Sequence, residues 1–313
     1  MLHLDHARVE SLLPWEPLFD ALAGMFRTGC EAPLRHAHAW EEGAERNSLL
    51  LMPAWQAGRY TGVKIVHVAP GNTDAAVHAV FLLSDAATGA PLALLDGGAL
   101  TDRRTAAASV LAARYLARPD SRRLLLLGSG KVAHALAQAY RAAFPIEDIA
   151  IWSRDPARAE RLAARLHAEG HPARAEANPD PAGADIVSAA TLSRTPLVRG
   201  DQIRPGTHVD LVGAFRRDMR ESDAALLARA TLVLDTRAGG LAEAGDVVQA
   251  IAEGAIGPGH VAAELAELCR GTHPGRRDAE EVTVFKSVGW AGEDLAAAIL
   301  AYEGAMAEAP NRK

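Results

Sequence analysis

One segment near the middle of this 313-residue chain limits its possible folds more than any other. The apolar run 124–127 is typical of a buried parallel strand, and it leads directly into Gly128-Ser129-Gly130 and then a helical pattern. Gly128 permits a tight turn, Gly130 lets the backbone approach a pyrophosphate, and Ala133 lets the helix pack closely on the strand. This Gly-x-Gly-x-x-Ala spacing predicts a dinucleotide site at the helix N-terminus. A merely structural glycine turn is the alternative.

The next predicted strand, 148–153, indicates which dinucleotide binds. It ends on Ser153-Arg154-Asp155, where an NAD site usually carries an acidic residue. A serine hydroxyl and a guanidinium can hold a 2′-phosphate, which a carboxylate at Ser153 would repel. We therefore expect NADP, with NAD as the alternative because Asp155 is near enough to bind the ribose. The predicted cofactor-binding residues are Gly128, Ser129, Gly130, Lys131, Val132, Ser153, Arg154, Asp155, Arg158 and Thr191.

Two patterns of strands divide the chain. From residue 123 onward, strands alternate with helices, as in a doubly wound parallel sheet. Before that, sequential strands joined by short turns indicate an antiparallel or mixed sheet, followed by a long helix over 100–116. The predicted parallel strands are 123–127, 149–152, 173–176, 185–189, 207–211 and 232–235, and the earlier ones are 33–40, 47–52, 62–69, 77–84 and 91–96.

Composition excludes several classes of protein. A net charge of −6 and a pI near 6.1 give no electrostatic footprint for nucleic acid. We expect no membrane span, because no uncharged apolar stretch reaches about 18 residues. The two cysteines and the scattered histidines show no metal-ligand spacing, so we expect no metal. A charged N-terminus without a signal-peptide pattern favours a reduced, cytoplasmic protein.

Further motifs follow in order along the chain. They are Pro33-Leu34-Arg35, Met52-Pro53-Ala54-Trp55, Gly62-Val63-Lys64-Ile65-Val66, Asp96-Gly97-Gly98, Arg104-Thr105-Ala106-Ala107, Gly245-Asp246-Val247 and Thr283-Val284-Phe285-Lys286-Ser287-Val288-Gly289. Over nearly its full length the chain thereby resembles the ornithine cyclodeaminase and mu-crystallin family. That family includes cyclodeaminases, alanine-type dehydrogenases and ketimine reductases, and mu-crystallin itself also binds thyroid hormone.

The resemblance implies a domain plan and a homodimer. We expect a Rossmann dinucleotide-binding domain over 119–288. We expect a mixed α+β domain for substrate binding and dimerisation, formed by 1–118 together with 289–313. The overall class is α/β.

The resemblance also places Lys64 in the active site, beside the substrate carboxylate and the reacting nitrogen. Lys64 lies between Val63 and Ile65 in a predicted strand, so it is either solvent-facing or buried for a purpose. A desolvated lysine near arginines would have a lowered pKa and could exchange protons near neutral pH.

Two arginines match the carboxylate-binding arginines of the family. Arg35 and Arg104 carry planar guanidinium groups, which can grip an α-carboxylate bidentately. Arg104 lies early in a helix, where a positive charge gains nothing from the helix dipole, and this favours a ligand role. Its neighbour Arg103 is expected to be solvated. Met52 and Phe215 complete the predicted substrate-binding set.

Two departures from the family pattern bear on the reaction. Phe215 stands where cyclodeaminases and some dehydrogenases carry an aspartate that activates water or the substrate amine, and mu-crystallin also lacks that aspartate. Leu50 stands where cyclodeaminases carry an acidic residue linked to the distal amine of the substrate. A buried ammonium of ornithine would then lack partners. Asp210 is either a plain strand residue or a substitute proton carrier, and we include it among the catalytic candidates.

We therefore favour an NAD(P)H-dependent reductase or dehydrogenase of amino-acid metabolism, acting on the C–N bond of a small α-imino or α-amino acid. Ornithine cyclodeamination with catalytic NAD is the first alternative. An NADPH-dependent small-molecule binding protein, as mu-crystallin exemplifies, is the second.

Overall fold

The structure, a computed structural model, describes residues 1–42, 45–69 and 77–308. It contains two compact units, one formed by Met1–Arg104 with Trp290–Lys313 and the other by Thr105–Gly289. The division falls inside the long helix Gly97–Leu116, whereas the sequence predicted it after residue 118. The functions assigned to the two predicted domains remain predictions.

The elements are numbered in chain order. The strands are β1 (Leu2–Leu4), β2 (His36–Glu42), β3 (Glu45–Gln56), β4 (Tyr60–Val68), β5 (Val77–Asp85), β6 (Pro91–Asp96), β7 (Arg123–Leu127), β8 (Asp148–Trp152), β9 (Ala173–Ala175), β10 (Ile186–Ala189), β11 (His208–Leu211), β12 (Thr231–Leu234), β13 (Val261–Glu264) and β14 (Thr283–Lys286). The α-helices are α1 (His6–Ser11), α2 (Trp15–Thr28), α3 (Gly97–Leu116), α4 (Lys131–Ala143), α5 (Pro156–Ala168), α6 (Ala224–Arg229), α7 (Arg237–Glu243), α8 (Gly245–Ala252), α9 (Leu265–Arg270) and α10 (Ala291–Glu308).

The first unit contains a mixed six-stranded sheet in the order β1-β6-β5-β4-β3-β2. Only β1 pairs in parallel, with β6, while the other pairs are antiparallel, as the short turns predicted. Helices α2 and α10 pack against each other, and α10 also packs on β3, β4 and β5. Because β4 alternates between buried and half-buried residues, the sheet has one covered face and one open face.

Lys64 lies on the covered face of this sheet. Its cross-strand partners are Met52 on β3 and Phe81 on β5, and Phe81 in turn pairs with Leu95 on β6. All four side chains are buried. Because alternate residues of a strand face the same side of the sheet, the face that buries these apolar residues also buries the Lys64 ammonium.

The second unit contains eight parallel strands in the order β13-β12-β14-β11-β10-β7-β8-β9. This order confirms the predicted doubly wound sheet. The chain runs outward from β7 through β8 to β9 and then returns to β10 on the other side of β7. The carboxyl ends of β7 and β10 therefore form a topological switch point, where ligands bind in such folds.

Two strands of the parallel sheet are additional to the six predicted. They are β13 and β14, and β14 lies in the interior of the sheet between β11 and β12. β13 reads Val261-Ala262-Ala263-Glu264, and alanine and glutamate are depleted in strands, whereas β14 lies in the 283–289 segment, which the sequence presents only as a family motif.

Candidate active site

The glycine turn after β7 has the geometry of a dinucleotide cradle. Gly128 has φ of 124°, and a Cβ there would lie 2.6 Å from the carbonyl oxygen of Ala190, in the segment after β10. A Cβ at Gly130, the N-cap of α4, would meet no heavy atom within 4 Å. Packing therefore requires glycine at 128 but not at 130, and the open space before the α4 N-terminus fits a pyrophosphate.

The predicted ribose-binding residues lie at the carboxyl end of β8. Ser129 Oγ donates a hydrogen bond to Ser153 Oγ at 3.0 Å, so the turn after β7 contacts the end of β8. The Asp155 carboxylate caps α5 by accepting from the N–H of Ala157 at 3.1 Å, while Arg154 and Arg158 are exposed. At the first turn of α4, Lys131 is exposed and Val132 half-buried.

In the first unit, Lys64 belongs to a group of four buried charged residues and one half-buried threonine, which we call the Lys64 cluster (Lys64, Thr101, Arg104, Glu293 and Asp294). Lys64 Nζ lies 2.9 Å from Asp294 Oδ1 and donates to Thr101 Oγ1 at 3.3 Å. Arg104 binds the same carboxylate through Nε at 2.9 Å, and binds Glu293 Oε2 through Nη1 at 2.6 Å. Strands and helices distant in sequence thus bring two cations and two carboxylates together.

Burial changes the acidity of the lysine. Lys64 is 2 % exposed, and this desolvation, with a further contribution from the positive charge of Arg104, lowers the pKa of Lys64 to about 8. Asp294 opposes this shift through its charge and its hydrogen bond, and Arg35 adds to it. A lysine with this pKa is mainly protonated at neutral pH yet can release its proton readily.

Sequence reasoning missed the two carboxylates of the cluster. Glu293 and Asp294 lie in the first turn of α10, and both are buried. Acidic residues are common in a first helical turn because they complement the helix dipole. The pattern alone therefore gave no sign that these carboxylates bind Lys64 and Arg104.

The other predicted substrate-side residues differ in their placement. Arg35 is half-buried and close enough to Lys64 to lower the pKa of its ammonium, and Met52 lies opposite Lys64 in the sheet register. The expectation that Arg103 is solvated was wrong. Its guanidinium carbon lies 3.6 Å from the centre of the Trp15 ring, and the same group donates to a backbone carbonyl.

Asp210 lies in the interior of the second unit. It accepts hydrogen bonds from Ser188 Oγ at 2.6 Å and from the Tyr140 hydroxyl at 3.3 Å. Burial raises the pKa of Asp210 to about 6, against the lowering effect of these hydrogen bonds. These contacts are those of a buried strand residue that ties β10, β11 and α4 together, and its proton-carrying role stays a prediction.

Phe215 lies just after β11, in a segment with strained backbone. It is 36 % exposed, and the preceding residue, Ala214, has φ of 49°, a conformation that side chains with a Cβ rarely adopt. The N–H of Gly245 donates to the carbonyl of Ala214 at 2.9 Å, which helps to hold this conformation.

A second buried charged network surrounds that segment. Lys286 donates to the carbonyl oxygens of Leu211 and Gly213, and its Nζ lies 3.3 Å from Asp246 Oδ2. The other oxygen of Asp246 accepts from the backbone N–H of Glu221 at 2.7 Å.

Glu221 links this network to the predicted cofactor residue Thr191. Its Oε1 accepts from the Thr191 N–H at 2.6 Å and from the Thr191 hydroxyl at 2.8 Å. Burial raises the pKa of the Glu221 carboxyl, although Lys286 lowers it. The segments after β10 and β11 are therefore fixed by charges within their own unit.

Two further features are absent from the described residues. Over residues 1–42, 45–69 and 77–308, no three histidine, cysteine, aspartate or glutamate side chains are grouped as a metal site would require. None of the helices in these ranges is both long and apolar enough to cross a membrane.

The chain is similar to known proteins over nearly its full length. Residues 5–309 match the model of the ornithine cyclodeaminase/mu-crystallin family. A Δ1-pyrroline-2-carboxylate reductase of Paracoccus denitrificans is 39 % identical over 298 residues, covering 93 % of both chains. The ketimine reductase mu-crystallin of Mus musculus is 34 % identical over 306 residues, covering 96 % of this chain and 94 % of its own.

A solved structure has the same architecture. The Δ1-pyrroline-2-carboxylate reductase of Thermococcus litoralis, in complex with NADH and L-proline, superposes with a TM-score of 0.91 at 36 % identity, covering 98 % of both chains. The match spans both units of the chain and not the dinucleotide unit alone. By sequence and by architecture, this chain belongs to the ornithine cyclodeaminase/mu-crystallin family.

Proposed function

We propose that this protein is an NAD(P)H-dependent imine reductase that acts on the C–N bond of a small α-imino acid. Cyclic ketimine carboxylates are the favoured substrates. The observation that carries the proposal is the buried Lys64, which is hydrogen-bonded to Asp294 in a chain that also carries a dinucleotide cradle. The relatives named as reductases of Δ1-pyrroline-2-carboxylate and of ketimines support this choice of substrate.

The residues of the first unit supply binding and a proton. Arg35 attracts the substrate carboxylate, because guanidinium groups bind carboxylates with charge-assisted hydrogen bonds. Arg104, which Asp294 and Glu293 hold through Nε and Nη1, adds its remaining N–H groups. Lys64, protonated at neutral pH, gives a proton to the imine nitrogen and regains one from solvent. The bound dinucleotide supplies the hydride that reduces the imine carbon. One hydride and one proton convert the imine to the amine.

This scheme explains why Phe215 and Leu50 are compatible with activity. Reduction of a preformed cyclic imine includes no hydrolysis, so no carboxylate is needed at position 215 to activate water. An apolar residue at each position suits a substrate with a neutral ring or an aliphatic side chain. Ornithine would present a second ammonium group, and its burial without a partner is costly.

We propose NADPH as the preferred form of the cofactor, with NADH as the alternative. Ser153 bears no negative charge, and Arg154 and Arg158 are exposed at the same end of β8. The Asp155 carboxylate caps α5, which reduces its availability for ribose hydroxyls. The solved Thermococcus relative holds NADH, so the choice between the two cofactors depends on these residues of this chain.

We also propose a homodimer formed through the open face of the first unit's sheet. Along β4 that face presents the half-buried Val63 and Ile65, next to Val80 on β5, which is 39 % exposed. Trp40 and Trp55 are exposed on the same face. An apolar sheet face of this kind marks a protein–protein interface more often than a solvated surface.

The test is oxidation of NADPH and of NADH by the purified protein with Δ1-pyrroline-2-carboxylate and its six-membered homologue. L-Ornithine with NAD is the comparison. Turnover of a ketimine establishes the reductase. Conversion of ornithine to proline and ammonia with catalytic NAD, without ketimine reduction, would replace it with the cyclodeaminase.

The variant Lys64→Met separates an enzyme from a binding protein. Lost turnover with retained nucleotide binding supports catalysis by Lys64. If neither the wild type nor Lys64→Met turns over any substrate and both bind small ligands equally, the protein is a small-molecule binding protein. Nucleotide binding is followed by the fluorescence of the reduced nicotinamide.

A further inference from the structure

We propose that Asp294 is a positioning residue for Lys64. It keeps the Lys64 side chain protonated and fixes its orientation, so that the lysine can act as the general acid of the reduction. The inference rests on the proposed function in one respect, the transfer of the Lys64 proton to the imine nitrogen. The contact between the two residues is independent of that function.

A single oxygen, Asp294 Oδ1, lies 2.9 Å from both Lys64 Nζ and Arg104 Nε. The side chains of these residues are 0 %, 3 % and 6 % exposed, so solvent cannot replace the contacts. A second acceptor, Thr101 Oγ1, fixes another N–H of the ammonium. The direction of the Lys64 side chain is therefore set from two sides.

Arg104 on α3 and Arg35 ahead of β2 both disfavour the ammonium form of Lys64, and its strand partners Met52 and Phe81 are apolar. Among the described residues, Asp294 supplies the anion that is hydrogen-bonded to Lys64. Without that anion, a lysine buried among positive charges would lose its proton.

Glu293 binds Nη1 of Arg104, so a second anion offsets the arginine and leaves Oδ1 of Asp294 attractive to Lys64. Asp294 lies in the first turn of α10, where the helix dipole favours an anion. Although burial opposes it, the charges of Arg104 and Lys64 keep the pKa of Asp294 below its ordinary value.

The experiment compares Asp294→Asn with a matched control, Glu303→Gln. Glu303 is also a carboxylate of α10 bonded to β4, through the Tyr60 hydroxyl at 3.1 Å, but it lies outside the Lys64 cluster. Protein labelled with 15N-lysine is titrated by NMR. The sequence contains four lysines, and Lys64→Met assigns the signal of Lys64. Ketimine reduction is measured over the same pH range.

We expect the Nζ signal of Lys64 to titrate about 1–3 pH units lower in Asp294→Asn than in the wild type, the usual effect of one nearby opposite charge. The alkaline fall of kcat/KM should move to lower pH in parallel, because the protonated lysine is the active form. Glu303→Gln should match the wild type in both measurements. An unchanged titration of Lys64 in a folded Asp294→Asn variant would overturn the proposal.

A second variant covers the case in which Asp294→Asn does not fold. Asp294→Glu retains the charge but displaces the carboxylate. We expect Lys64 to titrate near its wild-type pH while kcat falls at least about tenfold, with NADPH binding retained. Full activity in Asp294→Glu would show that the position of the carboxylate is immaterial. That result would overturn the proposed role of Asp294 in orienting Lys64.

The two proposals fail separately. If the wild type reduces no ketimine, the proposed function fails, whereas a lowered titration of Lys64 in Asp294→Asn still supports the Asp294–Lys64 coupling. If ketimines are reduced and the titration does not move, only the role of Asp294 fails.

Discussion

At the scale of single residues, environment decides what the same residue type does. Lys64 and Lys286 are both buried lysines on strands. Lys64 binds one carboxylate and one hydroxyl, and burial lowers its pKa to about 8, close enough to neutral pH for proton exchange. Lys286 donates to two backbone carbonyl oxygens, lies 3.3 Å from Asp246 Oδ2 and fixes the segment after β11. The proton-donor role is proposed for Lys64, while the contacts of Lys286 are those of a residue that holds the backbone in place.

A residue-scale prediction concerns Ser153. Ser153→Asp should lower kcat/KM for NADPH at least about tenfold, or ~1.4 kcal/mol, because a carboxylate at that position repels the 2′-phosphate. The value for NADH should change much less. The measurement is the ratio of kcat/KM for the two cofactors with one ketimine substrate.

The control for Ser153→Asp is Ser129→Ala. It removes the hydrogen bond between the two serine hydroxyls without adding charge, and it should leave the cofactor ratio nearly unchanged. An unaltered ratio in Ser153→Asp would show that Ser153 does not face the 2′ position.

At the scale of elements, the glycine turn separates packing from binding. Gly130→Ala should leave the melting temperature close to that of the wild type, since a Cβ there contacts no other atom of the chain. It should weaken NADPH binding about tenfold or more, because the methyl group occupies the space proposed for the pyrophosphate. Thermal unfolding and fluorescence titration measure the two effects.

For the neighbouring variant Gly128→Ala we expect the opposite result, in which the melting temperature falls below that of the wild type. Its φ of 124° and the 2.6 Å approach of the Ala190 carbonyl make any side chain costly to the fold itself. A stable Gly128→Ala protein, or a Gly130→Ala protein that binds NADPH normally, would contradict this division of roles.

Another element-scale prediction concerns the start of α8. A Cβ on Gly245 would lie 1.9 Å from the carbonyl oxygen of Met219 and 2.5 Å from that of Arg216. Gly245→Ala should therefore lower the free energy of unfolding by about 1–3 kcal/mol or more, as overpacking does. Gly257→Ala is the control, because a Cβ there meets nothing within 4 Å. Chemical denaturation that found the two variants equally stable would refute the expectation.

At the scale of the whole molecule, the open sheet face predicts how the chain assembles. Val80→Glu should convert the proposed dimer to a monomer, because it places a charge in the centre of an apolar contact. Met306→Glu is the control, since Met306 is also an exposed apolar residue of the first unit but lies on α10. Light scattering coupled to size exclusion gives the mass of each. A wild-type monomer, or a Val80→Glu dimer, would exclude this interface.

The cytoplasmic location remains a prediction from the sequence.

Local patterns in the sequence were enough to predict the doubly wound sheet, the mixed sheet and the dinucleotide turn. These depend on local periodicity and on glycines whose conformations few other residues adopt, so short segments carry the information. The family motifs likewise indicated Lys64 and Arg104. The strand pattern alone left open whether Lys64 faced solvent.

The contacts that hold Lys64 depend on segments that are far apart in the chain. Asp294 lies 230 positions from Lys64 along the chain, and Glu293 lies 189 from Arg104. The same folding brought β14 into the middle of the parallel sheet and placed Arg103 on Trp15. Contacts of this kind arise when distant segments bury their apolar faces together. The pairing of a buried cation with its carboxylate is a result of that packing, and no local pattern records it.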